Sequence, residues 1–144
     1  MSNPTGLEDL EILRALKATY APDKGDMREH NATENSIGFG LIHYALIRNL
    51  RPDYALVIGS RYGFIPACMA LALKANGKGR LHFEDANYND KTDRFCKAYG
   101  GTGHWGKNVL EVIGTFSLHE WIDVFIERTD TFFPRTTTKY GYIY

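Results

Sequence analysis

The stretch from Tyr54 to Ala72 reads YALVIGSRYGFIPACMALA, and it decides the fold. It opens with a short apolar run rich in β-branched residues, passes through the turn Gly59-Ser60-Arg61-Tyr62-Gly63, and ends in a segment rich in Ala, Leu and Met. This order predicts a strand, a glycine turn and a helix. Because glycine lacks a Cβ atom, a turn with glycine at both ends lets main-chain N–H groups approach a ligand closely at the helix N-terminus.

Length and composition fit one ordinary domain with a real core, since the chain has 144 residues and 44% of them are hydrophobic. Seventeen basic residues balance seventeen acidic ones, so the charge does not indicate a nucleic-acid or membrane-surface partner. No apolar stretch approaches the roughly 20 residues of a membrane span. The polar N-terminus does not resemble a signal peptide, and two distant cysteines, Cys68 and Cys96, favour a reducing cytoplasm.

Hydrophobic periodicity and breaker residues predict further helices and strands around this stretch. An apolar face at helical spacing predicts a helix from about Gly6 to Tyr20, and a second from near Asn35 to Leu50 with Asn35 or Ser36 as its N-cap. The helix after the glycine turn should end before Gly77. The predicted strands cover residues 54–58, 80–85, 122–127 and 140–144.

Four strands alternating with helices predict an α/β fold with a mainly parallel sheet. Right-handed crossovers then give the strand order 3-2-1-4, with the glycine turn at the carboxyl edge of strand 1 and a ligand expected at the switch between strands 1 and 4. We divide the chain into an N-terminal helix and loop, residues 1–34, and an α/β part, residues 35–144, that contains the expected ligand edge.

Polar groups that follow three of these strands should converge at that edge. They are the turn Gly59 to Gly63, the acidic pair Glu84 and Asp85 after strand 2, and Asp130 after strand 3. A carboxylate after strand 2 suits the hydroxyl groups of a ribose, and one after strand 3 suits the amino group of adenine. Each feature alone also fits an ordinary turn or helix cap, but their joint placement predicts a nucleoside site.

The spacing disfavours several other nucleotide, metal and hydrolase sites. The dinucleotide fingerprint G-x-G-x-x-G is absent because Arg61 stands where its second glycine would be. The sequence contains no Gly-Lys-Ser/Thr loop and no G-x-S-x-G elbow. The five histidines are isolated and give no metal-ligand spacing, so we expect no metal site.

The segment VIGSRYGFIPACMALA resembles motif I of class I S-adenosylmethionine-dependent methyltransferases, whose fold is Rossmann-like, and in particular their small-molecule O-methyltransferase-like branch. LHFEDANY and FIERTDTFF are similar to the family segments that follow strands 2 and 3. The resemblance implies that S-adenosylmethionine is the cofactor. It places Gly59, Ser60, Arg61 and Gly63 near the methionine part, Asp85 at the ribose and Asp130 at the adenine.

The sequence also departs from the family pattern. Val57 stands where many members have an acid, and the family's fourth motif and last three strands have no counterpart before Tyr144. The resemblance therefore implies a sheet truncated before its later strands, an N-terminal fragment of a longer domain, with the catalytic base unknown. A small molecule or sugar is the expected methyl acceptor, and His104 and Trp105 could shape its pocket.

Two other functions remain open from the sequence. The chain could be a catalytically inert methyltransferase-like module used for assembly, or another nucleotide-binding oxidoreductase of Rossmann type. A truncated sheet would leave the aromatic strand 140–144 as an exposed edge, so we also expect self-association through that strand.

Overall fold

The computed structural model describes residues 7–20, 38–60, 63–86 and 113–144. Within these ranges the structure gives bounds for four helices and four strands, and a short 3₁₀ turn, Phe133–Arg135, follows the last of these helices. The helices are α1 (Leu7–Tyr20), α2 (Phe39–Leu50), α3 (Phe64–Asn76) and α4 (Thr129–Phe132). The strands are β1 (Tyr54–Ile58), β2 (Arg80–Glu84), β3 (Ile122–Phe125) and β4 (Tyr142–Ile143).

The four strands form one sheet in the order β3-β2-β1-β4, and every neighbouring pair is parallel. The predicted α/β class and the predicted strand order are therefore confirmed. Strand β1 begins and ends at the residues predicted from the sequence, and β2 pairs with it from Tyr54 opposite Arg80 to Ile58 opposite Glu84. Because all the strands run the same way, their carboxyl ends meet at one edge of the sheet.

One face of the sheet packs against the long helices and forms the core. Alternate residues of a strand point to the same face. On this face Ala55 and Val57 of β1 pack with Leu81 and Phe83 of β2 in a cluster of buried apolar side chains. Helix α3 is buried along its length from Phe64 to Leu73, which explains why its sequence lacks an amphipathic pattern. Leu13 and Leu16 of α1 are fully buried in the same cluster.

The other face carries a polar and aromatic cluster. Arg80 pairs with Asp123 on the neighbouring strand, and its Nη2–Oδ1 distance is 2.6 Å. The His82 Nδ1 and the Tyr140 hydroxyl oxygen are 2.9 Å apart. The His82 ring also makes edge contacts with the rings of Tyr54 and Phe125, at centroid distances of 5.3 and 5.1 Å.

Some predicted boundaries differ from the observed ones. Helix α2 begins at Phe39 with Gly38 as its N-cap, at φ 60° and ψ −139°. The predicted caps Asn35 and Ser36 lie outside the described residues, as does the division of the chain after residue 34. The strands β2, β3 and β4 are each shorter than predicted: β2 and β3 end one and two residues early, and β4 begins two residues late and ends one residue early.

Strand β4 forms one edge of the sheet, with Ile143 55% exposed. Pairing of this edge with a second copy stays a prediction. Within the described residues, no helix combines the length and the apolar character needed to cross a membrane.

Two glycines after α3 allow a matched test of how this helix returns to the sheet. Gly77 (φ 61°) has open space around an added Cβ atom, whereas at Gly79 (φ 89°) that atom would lie 2.3 Å from the Pro52 carbonyl oxygen. We expect Gly77→Ala to cost about 1–2 kcal/mol for its left-handed backbone, and Gly79→Ala roughly 1–3 kcal/mol more for the clash. Urea unfolding of both variants measures the difference, and equal losses would contradict the assigned role of Gly79.

We expect His82 to make the folded chain less stable in mild acid. Burial lowers its pKa, with a smaller opposing effect of Asp123 and a further lowering by Arg80. The unfolded chain therefore takes up a proton below about pH 6.5 while the folded chain does not. Stability contributed by His82 is complete above that pH and is lost as the pH falls toward the folded pKa.

We expect His82→Gln to reduce the fall in unfolding free energy between pH 7.5 and 5.5, as measured by urea titration at both values. His119→Gln, at an exposed histidine, is the control and should retain the wild-type difference. An unchanged pH dependence in His82→Gln would contradict the assignment.

Candidate cofactor site

The turns that follow β1 and β2 are held together at the carboxyl edge by main-chain hydrogen bonds. The Gly59 N–H group donates to the Glu84 carbonyl oxygen at 2.7 Å, which continues the β1–β2 ladder by one residue. On the other side of β2, the Asp85 N–H group donates to the Phe125 carbonyl oxygen at 3.0 Å. These bonds place the glycine turn and the predicted ribose acid side by side.

The glycine turn has the backbone that its sequence predicts. Gly59 and Gly63 have φ values of 72° and 83°, in the region that favours glycine. A Cβ atom added at Gly59 would meet no atom of the described residues within 4 Å, so this position requires glycine for its backbone conformation and not for lack of space. The buried Ser60 hydroxyl accepts a hydrogen bond from the Gly63 N–H group at 3.1 Å, which closes the turn onto α3.

The Asp85 carboxylate is bonded directly to the glycine turn. Its Oδ2 accepts the Ser60 N–H group at 2.8 Å. A hydrogen bond between a main-chain N–H group and an ionised carboxylate is among the stronger kinds in proteins. The carboxylate thus occupies a donor that a phosphate would need and adds negative charge beside it, so the turn is poorly suited to a pyrophosphate.

Glu84, which the sequence analysis named with Asp85 but to which it gave no ligand, is a buried acid. Its side chain is only 2% exposed, and the Thr129 hydroxyl lies 3.3 and 3.4 Å from its two carboxylate oxygens. Burial raises the pKa of Glu84, the Thr129 hydrogen bond opposes this, and the neighbouring acids add to it. The contact joins the end of β2 to the start of α4. Successive strand residues point to opposite faces, so the alternation along β2 is the sequence signal that Glu84 and Asp85 have different surroundings.

Asp130, the predicted adenine acid, lies in the first turn of α4 with its side chain 64% exposed. Arg128 binds both of its oxygens, with Nε–Oδ1 and Nη2–Oδ2 distances of 3.1 and 2.7 Å. The same guanidinium lowers the pKa of Asp130. Its position after β3 is the predicted one, and its role in binding a ligand stays a prediction.

Several predicted residues lie outside the described part of the chain. They are Arg61 of the glycine turn and the two residues proposed for an acceptor pocket, His104 and Trp105. Among the residues that the structure describes, no three His, Cys, Asp or Glu side chains are grouped so that they could hold a metal ion.

Comparison with known proteins supports the fold. The O-methyltransferase TomG from Streptomyces achromogenes, involved in tomaymycin synthesis and solved in complex with S-adenosylmethionine, matches 86% of this chain and 47% of its own, at a TM-score of 0.56 and 17% identity. This chain has the class I methyltransferase fold. A candidate O-methyltransferase from Klebsiella pneumoniae matches 96% of this chain and 50% of its own, at a TM-score of 0.53 and 13% identity.

The chain spans about half the length of these two structures. No protein-family model and no curated protein matches its sequence. The likeness therefore establishes the fold, and the ligand has to be argued from the residues of this chain.

Because Glu84 is buried, we expect that removing its charge stabilises the folded chain at neutral pH. Because burial raises its pKa, stability contributed by Glu84 is complete below its unfolded pKa and is lost as the pH rises through the folded value. Glu84→Gln should therefore gain in melting temperature relative to wild type at pH 7.5, and gain less at pH 4.5. Glu120→Gln, at an exposed acid, should show no such difference, and a destabilised Glu84→Gln at pH 7.5 would contradict the prediction.

Proposed function

We propose that this chain binds S-adenosylmethionine at the carboxyl edge of its sheet and serves methyl transfer to a small-molecule or sugar acceptor. The observation that carries the proposal is the 2.8 Å hydrogen bond between the Ser60 N–H group and the Asp85 carboxylate. It fixes an acid beside an open glycine turn, where a ribose can be held and the neighbouring part of a ligand can lie against main chain. The fold shared with TomG, which was solved with this cofactor, supports the same ligand.

The residues of the edge fit this cofactor better than a dinucleotide. S-adenosylmethionine carries a sulfonium cation and has no phosphate, so acids such as Glu84 and Asp85 attract it rather than repel it. A dinucleotide would bring its pyrophosphate to the turn, where the Ser60 N–H group already donates to Asp85. This observation disfavours the alternative that the chain is a nucleotide-binding oxidoreductase.

We assign the cofactor contacts as the sequence predicted them. Gly59, Ser60, Arg61 and Gly63 would hold the methionine part, Asp85 would accept the ribose hydroxyl groups, and Asp130 would lie at the adenine. Asp130 is already paired with Arg128, so its carboxylate would have to share that guanidinium with the base.

When bound, the cofactor supplies an activated methyl group on its sulfonium. The residues of the chain bind and orient it, because an in-line transfer depends chiefly on the alignment of donor and acceptor. The acceptor and the catalytic base are not assigned to described residues. We place the protein in the cytoplasm from its cysteine usage.

Calorimetric titration with S-adenosylmethionine tests the proposal. We expect wild type to bind and Asp85→Asn to bind at least about tenfold more weakly, since the loss of a hydrogen bond to a charged group costs roughly 1.5–3 kcal/mol. Asp53→Asn is the matched control, because Asp53 is an exposed acid at the opposite edge of the sheet and pairs with Lys78.

The outcomes separate the candidate functions. Binding of S-adenosylmethionine without binding of NAD would favour the methyltransferase over the oxidoreductase. Absence of heat with millimolar S-adenosylmethionine would overturn the proposal and favour an inert assembly module. Equal weakening in Asp85→Asn and Asp53→Asn would show that Asp85 does not hold the ribose.

A further inference from the structure

Strand order fixes which end of the proposed cofactor lies nearest to β4. The strands run β3-β2-β1-β4 across the sheet, and the proposed adenine and ribose acids follow β3 and β2. The sulfonium is joined to the ribose by a single carbon atom, and neighbouring strands lie about 4.8 Å apart. A cofactor laid out in this order brings its sulfonium over β1, where the next strand is β4.

Tyr144 stands at this place. Its N–H group donates to the Leu56 carbonyl oxygen at 2.9 Å, and its carbonyl oxygen accepts the Ile58 N–H group at 2.8 Å. These bonds extend β4 to the level of Ile58, the residue directly before Gly59. Tyr144 is 41% exposed, and its main chain lies level with the residue before the glycine turn, at the switch between β1 and β4.

His43 of α2 holds this ring in place. The imidazole is 8% exposed, and its centroid lies 4.1 Å from that of the Tyr144 ring at an angle of 57° between the planes. Its Nδ1 is 2.8 Å from the Tyr142 hydroxyl oxygen, a hydrogen bond that fixes the imidazole against β4. A buried, bonded neighbour reduces the rotamer freedom that Tyr144 would otherwise lose on binding a ligand.

We propose that Tyr144, supported by His43, forms a wall of the sulfonium site and attracts this cation through the face of its ring. A cation within about 6 Å of an aromatic centroid gains attraction from the ring quadrupole, by roughly twofold to fivefold in affinity at a partly exposed site. The inference rests on the proposed function. It goes further by naming an aromatic residue that distinguishes the charged cofactor from its uncharged product, S-adenosylhomocysteine.

The test compares the dissociation constants of S-adenosylmethionine and S-adenosylhomocysteine by calorimetry. Tyr144→Leu should weaken binding of S-adenosylmethionine about twofold to fivefold and leave that of S-adenosylhomocysteine unchanged. Tyr144→Phe keeps the ring and should bind both as wild type does. If a variant is partly misfolded, the measured binding stoichiometry falls, but the dissociation constants of the folded fraction can still be compared with those of wild type.

Tyr54→Leu is the matched control. Tyr54 is also a partly exposed strand tyrosine, 40% exposed, but it lies at the start of the central strand β1, far from the carboxyl edge. Its variant should keep the wild-type ratio. Equal weakening of both ligands in Tyr144→Leu, or no weakening of either, would overturn the inference while leaving the proposed function intact. Failure of wild type to bind either ligand would overturn both.

Discussion

The hydrogen bond from the Ser60 N–H group to the Asp85 carboxylate is the constraint on which the carboxyl edge depends. It joins the turn that follows β1 to the turn that follows β2. The two bonded residues are 25 positions apart in the chain. The parallel register brings the two turns level, and the left-handed backbone of Gly59 directs the Ser60 N–H group toward the acid. Without this bond, the turn would present free N–H groups to an anion, as phosphate-binding loops do.

Much of the fold could be predicted because its signals are local. The run from Tyr54 to Ile58 is apolar and β-branched, and the structure begins and ends β1 at those residues. Gly77 is the C-cap of α3 and has the left-handed backbone, φ 61°, that is typical of a glycine at this position. Once four strands and their order of crossing are known, the handedness of parallel connections allows few sheet topologies.

The chemistry of the edge could be predicted only in part, because it depends on contacts between distant residues. His43 and Tyr142 are 99 positions apart, and no periodicity in either segment indicates that they meet. Glu84 and Asp85 are adjacent in sequence, yet the pleat sends one into a buried contact with Thr129 and the other to the glycine turn. Arg128 pairs with Asp130 at a spacing of two, a contact that residue types alone do not specify.

The distribution of charge at this edge limits the range of possible ligands more than the glycine turn does. The chain as a whole is neutral, but among the described residues that directly follow β2 and β3 the acids outnumber the bases. Asp130 and Glu127 are paired with Arg128 and Arg135, so the charge of these two acids is largely compensated. Asp85 accepts the Ser60 N–H group, and Glu84 accepts the Thr129 hydroxyl group. Acids at this edge favour the proposed sulfonium nucleoside, a cation with ribose hydroxyl groups, over a dinucleotide with its phosphates.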